Sequence, residues 1–390
     1  MKMRVQLNDI LREISMKSTI NDQYPVLTSS KSGLYLQSNY FNKQVASKNN
    51  IGYKIIKRGQ FTYRAMSDTG EFFPNMLECT DVGIVSPAYP VFEITNTDLI
   101  LPAYLKYYFK SSVFQYSIAS FVQGSTRTSV KYGKLKTISI ELPTKEEQYM
   151  IVEILCCVEK IIAKRKTQLQ QLDELVKSRF VEMFGDPVIN DKKWTIDTLG
   201  NYMITLTDFS ANGSYELLDS NVVMYDEPNY AIMVRTTDLE SRDLTSGVKY
   251  IDEAAYKLLG KSKLFGGELI MNKIGSAGKI YIMPHIDRPA SLGRNAFMFR
   301  FDDRLNMKYL YFLLSSEYGT NEIQQYVRGA VTKTITKDST RAIKIIVPPI
   351  NLQNKFATFV EHTDKSKVVV QKALDEAQTL FDSLMQEYFG

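Results

Sequence analysis

Two segments of the chain combine basic residues, hydroxyl groups and glycine in a way that suits contacts with phosphate. Their sequences are QGSTRTSVKYGK (123–134) and RGAVTKTITKDST (328–340). Glycine lets a ligand approach the backbone closely, serine and threonine donate hydrogen bonds, and arginine and lysine pair with phosphate. We predict phosphate contacts from both segments; an exposed connector between a helix and a strand is the alternative. The basic residues concerned are Arg127, Lys131, Lys333 and Lys337.

A second group of residues has the side chains that discriminate between bases. Arg64 lies in YRAMSDTGEFF and Asn272–Lys273 in MNKIGSAGK, each after a predicted strand and in corresponding places of the two halves of the chain. Arginine and asparagine make the bidentate pairs that distinguish guanine and adenine. An ordinary surface role is the alternative for each of them. Lys31 and Arg235 are further candidate DNA contacts, chosen by residue type alone.

An enzyme would require patterns that this sequence lacks. The segment 260–262, Gly-Lys-Ser, resembles the end of a nucleotide phosphate loop, but Ala255 stands where the first glycine is required. Two histidines and three cysteines offer neither metal-ligand spacing nor a disulfide framework. A glycine-rich methyl-donor loop with an Asn/Asp-Pro-Pro-aromatic site is also missing. We therefore predict no catalytic residues, no metal and no cofactor bound by this chain.

The elements that must position these residues belong to an internal repeat. Residues 91–185 align without a gap on residues 296–390, a shift of 205, and nineteen positions are identical. Ordinary composition would give about six identities. The repeat ends in Phe-Gly both times, at Phe184-Gly185 and Phe389-Gly390. Upstream of residue 91 the halves diverge, although KRGQFTYR (57–64) still resembles FGGELIMN (265–272).

Each half closes with a long predicted helix. TISIELP (137–143) alternates like a strand, and Thr144 with Glu147 forms a capping box that opens a helix running to about Met183. The second helix runs from about Asn351 to Tyr388. Apolar residues at coiled-coil spacing predict that the two helices pair in an antiparallel seam. The predicted seam consists of Leu155, Val158, Ile162, Leu169, Leu172, Val176, Met183, Val370, Leu374 and Phe381.

The rest of each half is predicted to fold as a block that mixes α-helices and β-strands. Predicted strands include VFEIT (91–95), ELIMNKI (268–274) and AFMFRF (296–301), and AYLKYYFKSS (103–112) with KYLYFLLSSE (308–317) are predicted helices. The predicted fold class is α/β, with two similar recognition domains joined by two long antiparallel helices and a pseudo-twofold repeat of about 205 residues. The predicted domains are a first block at 1–142, a central helix at 143–187, a second block at 188–347 and a C-terminal helix at 348–390.

Charge and hydropathy limit the location and the partners. The chain has 390 residues and a net charge of +5, distributed over the four predicted domains as +7, −1, +1 and −2. Positive charge therefore lies in the divergent blocks, as expected if they meet phosphate, although a solvated charged surface gives similar counts. The most apolar run, YMIVEILCCVEKII, is interrupted by Glu153 and Glu159, so we predict a cytoplasmic protein without membrane association.

Taken together, these motifs resemble one known family. The stretch from ELPTKEEQ to VEMFGDP (141–187), which joins two divergent blocks, is similar to the central region of DNA specificity subunits of type I restriction-modification systems. A weaker second copy is IIVPPINLQNKFATFVE (345–361). The second copy departs from the first because Pro349 and Leu352 replace Thr144 and Glu147, which removes the capping box.

The resemblance implies a DNA-reading scaffold without catalytic activity of its own. Two target recognition domains would each read one half of a split site in double-stranded DNA, and the helices would set the spacing between the halves. The helices would also bind two methylation subunits, which hold S-adenosylmethionine and modify adenine. Restriction/translocase subunits would join the complex. A coiled-coil adaptor that binds only proteins, and a DNA-modifying enzyme with unrecognised motifs, remain as alternatives.

The two basic residues of the first phosphate segment test DNA binding directly. Replacing Arg127 and Lys131 together by alanine should weaken binding to duplex DNA and reduce its dependence on salt, by about one in the logarithmic slope for each phosphate that is no longer bound. Titrations at several salt concentrations measure both effects. Unchanged binding would remove these two residues from the interface.

Overall fold

A computed structural model describes residues 3–40, 49–122 and 128–390 of the chain. The chain divides into two compact units. Unit 1 consists of Met1–Thr167 together with Val370–Gly390, and unit 2 consists of Gln168–Val369. Because the division falls inside both long helices, each unit contains part of each helix. The boundaries of the four domains that the sequence predicts are therefore a different division of the chain, and they remain a prediction. The two units describe how the residues pack.

Unit 1 contains a mixed block of short strands and helices. Its strands are β1 (Met3–Gln6), β2 (Leu11–Ile14), β3 (Leu27–Ser30), β4 (Gly33–Leu36), β5 (Lys54–Lys57), β6 (Phe61–Thr62), β7 (Met66–Ser67), β8 (Asn75–Met76), β9 (Val82–Val85), β10 (Val91–Ile94), β11 (Thr128–Ser129) and β12 (Ser139–Leu142). Its short helices are α1 (Leu7–Ile10), α2 (Gln37–Tyr40), α3 (Pro102–Tyr108), α4 (Ser112–Ala119) and α5 (Tyr132–Leu135). The long helix α6 (Lys145–Phe184) begins in this unit.

Unit 2 repeats this plan and adds a second sheet. Its strands are β13 (Thr195–Thr198), β14 (Met203–Asp208), β15 (Ala231–Val234), β16 (Lys249–Ile251), β17 (Lys263–Leu264), β18 (Leu269–Asn272), β19 (Ile280–Ile282), β20 (Ala290–Leu292), β21 (Ala296–Phe301) and β22 (Lys344–Val347). Its short helices are α7 (Tyr215–Asn221), α8 (Thr236–Ser241), α9 (Glu253–Leu258), α10 (Met307–Ser315), α11 (Glu317–Gln324) and α12 (Lys337–Ala342). Single 3-10 turns occupy Leu199–Tyr202, Phe209–Asn212 and Gly260–Ser262. The second long helix is α13 (Ile350–Phe389).

Sheet topology shows which parts of the two units are equivalent. Each unit has an antiparallel pair, β1–β12 or β13–β22, and a four-stranded antiparallel sheet, in the order β2-β10-β6-β8 or β14-β21-β18-β19. The remaining strands differ. Unit 2 adds the sheet β16-β15-β20-β17, which contains the parallel pair β15–β20, whereas unit 1 has the hairpin β3–β4 and the pair β5–β9. The predicted α/β repeat is confirmed, and the divergent segments fold differently.

Aromatic and aliphatic side chains fill the core of each block. In unit 1 the rings of Phe61 and Phe92 stack at 5.7 Å between centroids, and Phe109 meets Phe61 edge-on at 5.6 Å. All three side chains are fully buried. In unit 2 the corresponding core surrounds Phe299 and Tyr309, which are also fully buried. Burial of such rings accounts for much of the stability of an α/β block.

The long helices begin as the sequence predicts at the first copy and differently at the second. At α6 the Thr144 N–H donates to the Glu147 carboxylate at 2.8 Å, and the Glu147 N–H donates to the Thr144 hydroxyl at 3.3 Å, which confirms the capping box. At α13 the backbone carbonyl of Pro349 accepts from the N–H groups of Leu352 and Gln353. The second helix therefore begins directly after a proline, whose carbonyl accepts the first hydrogen bonds, and it lacks the side-chain capping box of α6.

A buried glutamine fastens the start of each long helix to its block. The amide of Gln148 accepts from the Leu101 N–H at 2.9 Å and donates to the carbonyls of Leu99 and Pro143 at 3.0 and 3.1 Å. Gln353, 205 positions later, accepts from the Asn306 N–H at 2.8 Å and donates to the carbonyls of Arg304 and Pro348 at 3.3 and 2.8 Å. Both glutamines are fully buried. The same three backbone groups are thus bound in each unit.

The Phe-Gly ends of the repeat have equivalent packing in the two units. In unit 1 the ring of Phe389, at the end of α13, lies 5.1 Å from the ring of Tyr104. In unit 2 the ring of Phe184, at the end of α6, lies 4.7 Å from the ring of Tyr309. Gly185 follows with φ of +78°, and a Cβ there would lie 2.0 Å from the Asp191 carboxylate, so glycine is required.

The predicted seam residues divide between the two units. In unit 1, Val158 and Ile162 pack with Leu374, Ala377 and Phe381, so the first part of α6 meets the last part of α13. Leu155 belongs to the main core of this unit, and Val370 is buried.

In unit 2 the end of α6 meets the start of α13. Val176 and Met183 join a core that includes Phe356 and Val360. Leu169 and Leu172 are half-buried. Both packings are those of an antiparallel pair. No helix among the described residues is sufficiently long and apolar to span a membrane.

Removal of either buried glutamine amide should destabilise the protein strongly. Gln148→Met and Gln353→Met keep the side-chain length but leave three backbone groups without a partner. Each buried group without a hydrogen bond costs about 1–3 kcal/mol, so the free energy of unfolding should fall by about 3 kcal/mol or more. Urea unfolding measures this change.

The matched control is Gln170→Met on α6, because Gln170 is exposed and bonds only to Glu174 at 3.0 Å. Its effect should stay within about 0.5 kcal/mol, as for ordinary surface substitutions. If the free energy of unfolding falls by less than about 1 kcal/mol in both Gln148→Met and Gln353→Met, the glutamines do not stabilise the starts of the long helices.

Candidate nucleic-acid interface

Two segments of unit 2 bring predicted basic residues together. Lys273 directly follows β18 and Lys337 begins α12. The Lys273 N–H donates to the Asn295 carbonyl at 2.9 Å, and the Lys273 carbonyl accepts from the Ile335 N–H at 3.0 Å. Backbone hydrogen bonds therefore hold the segment after β18 against the segment before α12.

Both lysines converge on one buried carboxylate. The Nζ atoms of Lys273 and Lys337 lie 2.8 Å from the Oδ2 and Oδ1 atoms of Asp208, the last residue of β14. Asp208 is only 6% exposed, and the Lys273 Nζ also lies 5.7 Å from the ring centre of Phe297. The three groups carry a net charge of +1. Sequence analysis did not identify Asp208, because an acidic residue gives no signal for contact with phosphate.

The protonation of Asp208 depends on the two lysines. Burial opposes ionisation of this carboxyl, but hydrogen bonds and positive charge from Lys273 and Lys337 together outweigh burial and lower the pKa of Asp208 below its ordinary value. Asp208 is thus charged at neutral pH. The buried carboxylate and both ammonium groups form a satisfied network in place of an isolated buried charge.

Lys333 lies on the same face, whereas Asn272 does not reach the surface. Lys333 is exposed on a hairpin closed by hydrogen bonds between Arg328 and Thr334, and its carbonyl accepts from the Gly275 N–H at 2.9 Å. Asn272 is only 5% exposed. Asn272 completes β18 with its side chain in the protein interior, so this structure offers no support for the prediction that it reaches base edges.

Arg235 binds within the protein and borders a cavity of about 370 Å³. Its guanidinium donates to the Asp238 carboxylate, at 2.6 Å from Nη2, and to the Gly247 carbonyl at 2.8 Å. Arg294 and Asn295 line the same cavity. Arg235 therefore stabilises the start of α8 and leaves about a third of its side chain exposed.

Arg294 is a further basic residue of this face that sequence analysis missed. Its guanidinium lies 5.2 Å over the ring of Phe209 and 3.2 Å from the Asp219 carboxylate. The adjacent pair Arg294-Asn295, immediately before β21, was the available signal, since these two residue types read guanine and adenine.

In unit 1, Lys31 and Arg64 line one groove of about 260 Å³. The Lys31 Nζ lies 3.0 Å from the Glu71 carboxylate and 5.3 Å from the ring centre of Phe73. The Arg64 guanidinium lies 3.5 Å from the Asp68 carboxylate. Both basic side chains are more than half exposed, so these ion pairs are weak and can be exchanged for phosphate contacts.

The first phosphate segment approaches this groove from β11. Pairing of β11 with β7 places Thr128 opposite Ser67, and the Val130 N–H donates to the Ala65 carbonyl at 3.1 Å. Lys131 follows and is exposed. Arg127, the other predicted residue of the segment, lies outside the described residues.

The remaining side chains with possible chemistry are the metal-binding residue types and the cysteines. No group of three or more histidine, cysteine, aspartate or glutamate side chains suited to a metal ion occurs among the described residues. Cys79, Cys156 and Cys157 are free thiols. The chain thus has a duplicated scaffold: two α/β units of related topology, each with basic residues on its loops and with parts of two long helices.

Comparison with known proteins identifies the family. The model of the type I restriction modification DNA specificity domain matches residues 5–174 and 199–377. The chain therefore belongs to this family.

Relatives in Methanocaldococcus jannaschii include the type I restriction enzyme MjaIX specificity subunit, which is 23% identical over 75% of this chain and 69% of that protein. The MjaVIII specificity subunit is 23% identical over 68% of this chain and 65%, just under two thirds, of that protein.

Solved structures share the fold over the whole chain. The S subunit of a type I restriction-modification system from M. genitalium superposes with a TM-score of 0.57 at 13% identity, and it covers 100% of this chain and 96% of that chain. A chain from a study of complex assembly and conformational transition of the type I R-M system gives a TM-score of 0.55 at 14% identity, covering 100% of this chain and 97% of that chain.

The charge network around Asp208 predicts a pH-dependent contribution to stability. A carboxyl whose pKa is lowered by folding stabilises the protein above its unfolded pKa of about 3.9, and this contribution is lost as the pH falls through the lower folded value. Asp208→Asn should therefore reduce the free energy of unfolding at pH 7, and its difference from the parent chain should shrink below about pH 4. Urea unfolding across this range measures the difference. A difference that does not change with pH would exclude the charge as its cause.

Proposed function

We propose that this chain is the DNA specificity subunit of a type I restriction-modification complex, and that each unit reads one half of a bipartite site in double-stranded DNA. One observation carries the proposal: the two units share the topology that holds the long helices but differ in the loops that carry basic residues. A shared frame with different loops suits two different half-sites. Family membership supports the same function.

Phosphate contacts and base contacts have separate candidates in each unit. In unit 2, Lys333 and Lys337 are candidates for phosphate, and Arg294 with Asn295 are candidates for base edges. In unit 1, Lys31 and Lys131 are candidates for phosphate and Arg64 for a base edge. Phosphate contacts supply affinity and position, while base contacts supply specificity.

The long helices are candidates for the spacer and for the contact with methylation subunits. α6 and α13 each contain 40 residues, which corresponds to a length of about 60 Å. Large apolar side chains on these helices are exposed, including Tyr149 and Met150 on α6 and Val368 and Val369 on α13. Contiguous exposed apolar patches mark protein interfaces, and these adjacent pairs are the candidates for such patches on the two helices. Two similar helices suit two copies of one methylation subunit, and restriction/translocase subunits complete the proposed complex.

The chain itself is proposed to be non-catalytic. Methyl transfer, with S-adenosylmethionine as donor, belongs in this proposal to the methylation subunits. Basic faces that differ between units with similar helices favour a DNA reader over an adaptor that binds only proteins, since an adaptor gives no reason for that difference.

A methylation map of cellular DNA tests the proposal. Deletion of the gene, with the neighbouring methylation subunit still expressed, should abolish adenine methylation at one two-part motif with a fixed unspecified spacer. Restoring the gene should restore the motif. If methylation is unchanged and the purified complex also fails to bind DNA, the proposal is wrong.

A substitution in one unit sharpens this test. With Arg294→Ala in place of the parent chain, one half of the motif should become less specific, because a bidentate pair with a base edge is worth about 1–3 kcal/mol of discrimination. The other half should remain unchanged. Reduced specificity in both halves would contradict the assignment of one half-site to each unit.

A further inference from the structure

Strand register identifies the positions of unit 1 that correspond to the Asp208 network. Asp208 lies opposite Phe297 in unit 2, and Glu13 lies opposite the equivalent Phe92 in unit 1. Glu13 is therefore the counterpart of Asp208.

The counterparts of the two lysines follow in the same way. Asn272 lies opposite Ala296, and Thr62 lies opposite the equivalent Val91. The next residue along the chain is Lys273 in unit 2 and Tyr63 in unit 1. The repeat of 205 residues pairs Lys337 with Tyr132. Unit 1 therefore has one carboxylate and two tyrosines where unit 2 has one carboxylate and two lysines.

The tyrosine pair of unit 1 is neutral. Burial, followed by the charge of Glu13, raises the pKa of Tyr132 to about 12. The Tyr63 hydroxyl donates to the Val130 carbonyl at 3.0 Å. Glu13 is about half exposed and lies 3.8 Å from the Lys54 ammonium. The carboxylate of unit 1 thus pairs with one lysine, Lys54, and the two residues that correspond to Lys273 and Lys337 are uncharged tyrosines.

The lysine pair of unit 2 presents a positive charge in a fixed position. Each ammonium group has three N–H donors, and Asp208 accepts from one donor of each lysine. The Lys273 side chain is 14% exposed, whereas the Lys337 side chain is 34% exposed. Lys337 therefore has donors that face solvent. Because its rotamer is already restricted by Asp208, binding an anion costs less side-chain entropy than it would for a mobile surface lysine.

We propose that Asp208, Lys273 and Lys337 form a site in unit 2 for one backbone phosphate of DNA, at positions where unit 1 has Glu13, Tyr63 and Tyr132. Lys337 contacts the phosphate, Lys273 supplies the second positive charge, and Asp208 is a positioning residue that holds both lysines. This inference rests on the proposed function. It further implies that the two units contribute unequally to the salt-dependent part of DNA binding, since uncharged Tyr63 and Tyr132 stand in unit 1 where unit 2 has the two lysines.

Substitutions at two aspartates distinguish a positioning role of Asp208 from an effect of net charge alone on DNA binding. Asp208→Asn adds one positive charge to the chain, and so does Asp338→Asn. Asp338 is the matched control because it follows Lys337 directly, is 94% exposed and pairs with Arg341 at 2.7 Å. A positioning role predicts weaker DNA binding for Asp208→Asn and equal or tighter binding for Asp338→Asn. A role in charge alone predicts tighter binding for both.

The measurement uses the full chain and a fluorescently labelled duplex of mixed sequence, titrated at several sodium chloride concentrations. Lys337→Gln should reduce the logarithmic salt slope by about 0.9, which corresponds to roughly eightfold weaker binding at 0.1 M salt. Tyr132→Phe, at the equivalent place in unit 1, should leave the slope unchanged. Circular dichroism and the thermal midpoint of each variant confirm that the chain remains folded at the temperature of the titration.

A double variant decides whether Asp208 acts through Lys337. Asp208→Asn combined with Lys337→Gln should bind as Lys337→Gln does alone, because the group that Asp208 positions is gone. An unchanged salt slope for Lys337→Gln, tighter binding for Asp208→Asn, or fully additive effects in the double variant would each overturn the phosphate site. These outcomes leave the proposed function intact, whereas a parent chain that binds no duplex DNA overturns the proposed function as well.

Discussion

A buried glutamine at the start of each long helix is the constraint on which the rest of the structure depends. Gln148 and Gln353 each satisfy three backbone groups that the end of a strand and the start of a helix would otherwise leave without partners in the interior. Buried backbone groups must be paired, so the direction in which each helix leaves its block is determined. The identical arrangement 205 residues later explains why the frames of the two units agree.

This shared frame leaves the connecting loops free to differ. β10 and β21 occupy equivalent central places in their sheets, and the residues before them are Pro90 in unit 1 and Asn295 in unit 2. A change at such a position alters the chemistry of the face without disturbing the sheet behind it. Loops positioned by a rigid scaffold commonly carry the function of a protein. The same constraint that makes the units similar therefore permits them to carry different loops, as the proposed reading of two half-sites requires.

Charge alone is an incomplete guide to the proposed interface. Lys273 and Arg235 are basic residues in the expected loops, yet each is bound by a carboxylate with little exposure, Asp208 in one case and Asp238 in the other. Lys31 and Arg64 also pair with carboxylates, but these pairs are exposed and exchange readily. Burial thus separates lysines and arginines that organise the face from those that are available to a ligand.

The sequence by itself determined the repeat, the two long helices and the strands β10, β12, β18 and β21, because these depend on local periodicity, on capping and on proline. The helices predicted to end near Met183 and Tyr388 end at Phe184 and Phe389. Tertiary structure decided which candidate side chains share a face. Asn272 was expected at the surface and is buried, while Asp208 and Arg294 carried no recognised signal and lie in the site. Their positions depend on pairing between strands far apart in the chain, and this pairing determines which side of a sheet each residue faces.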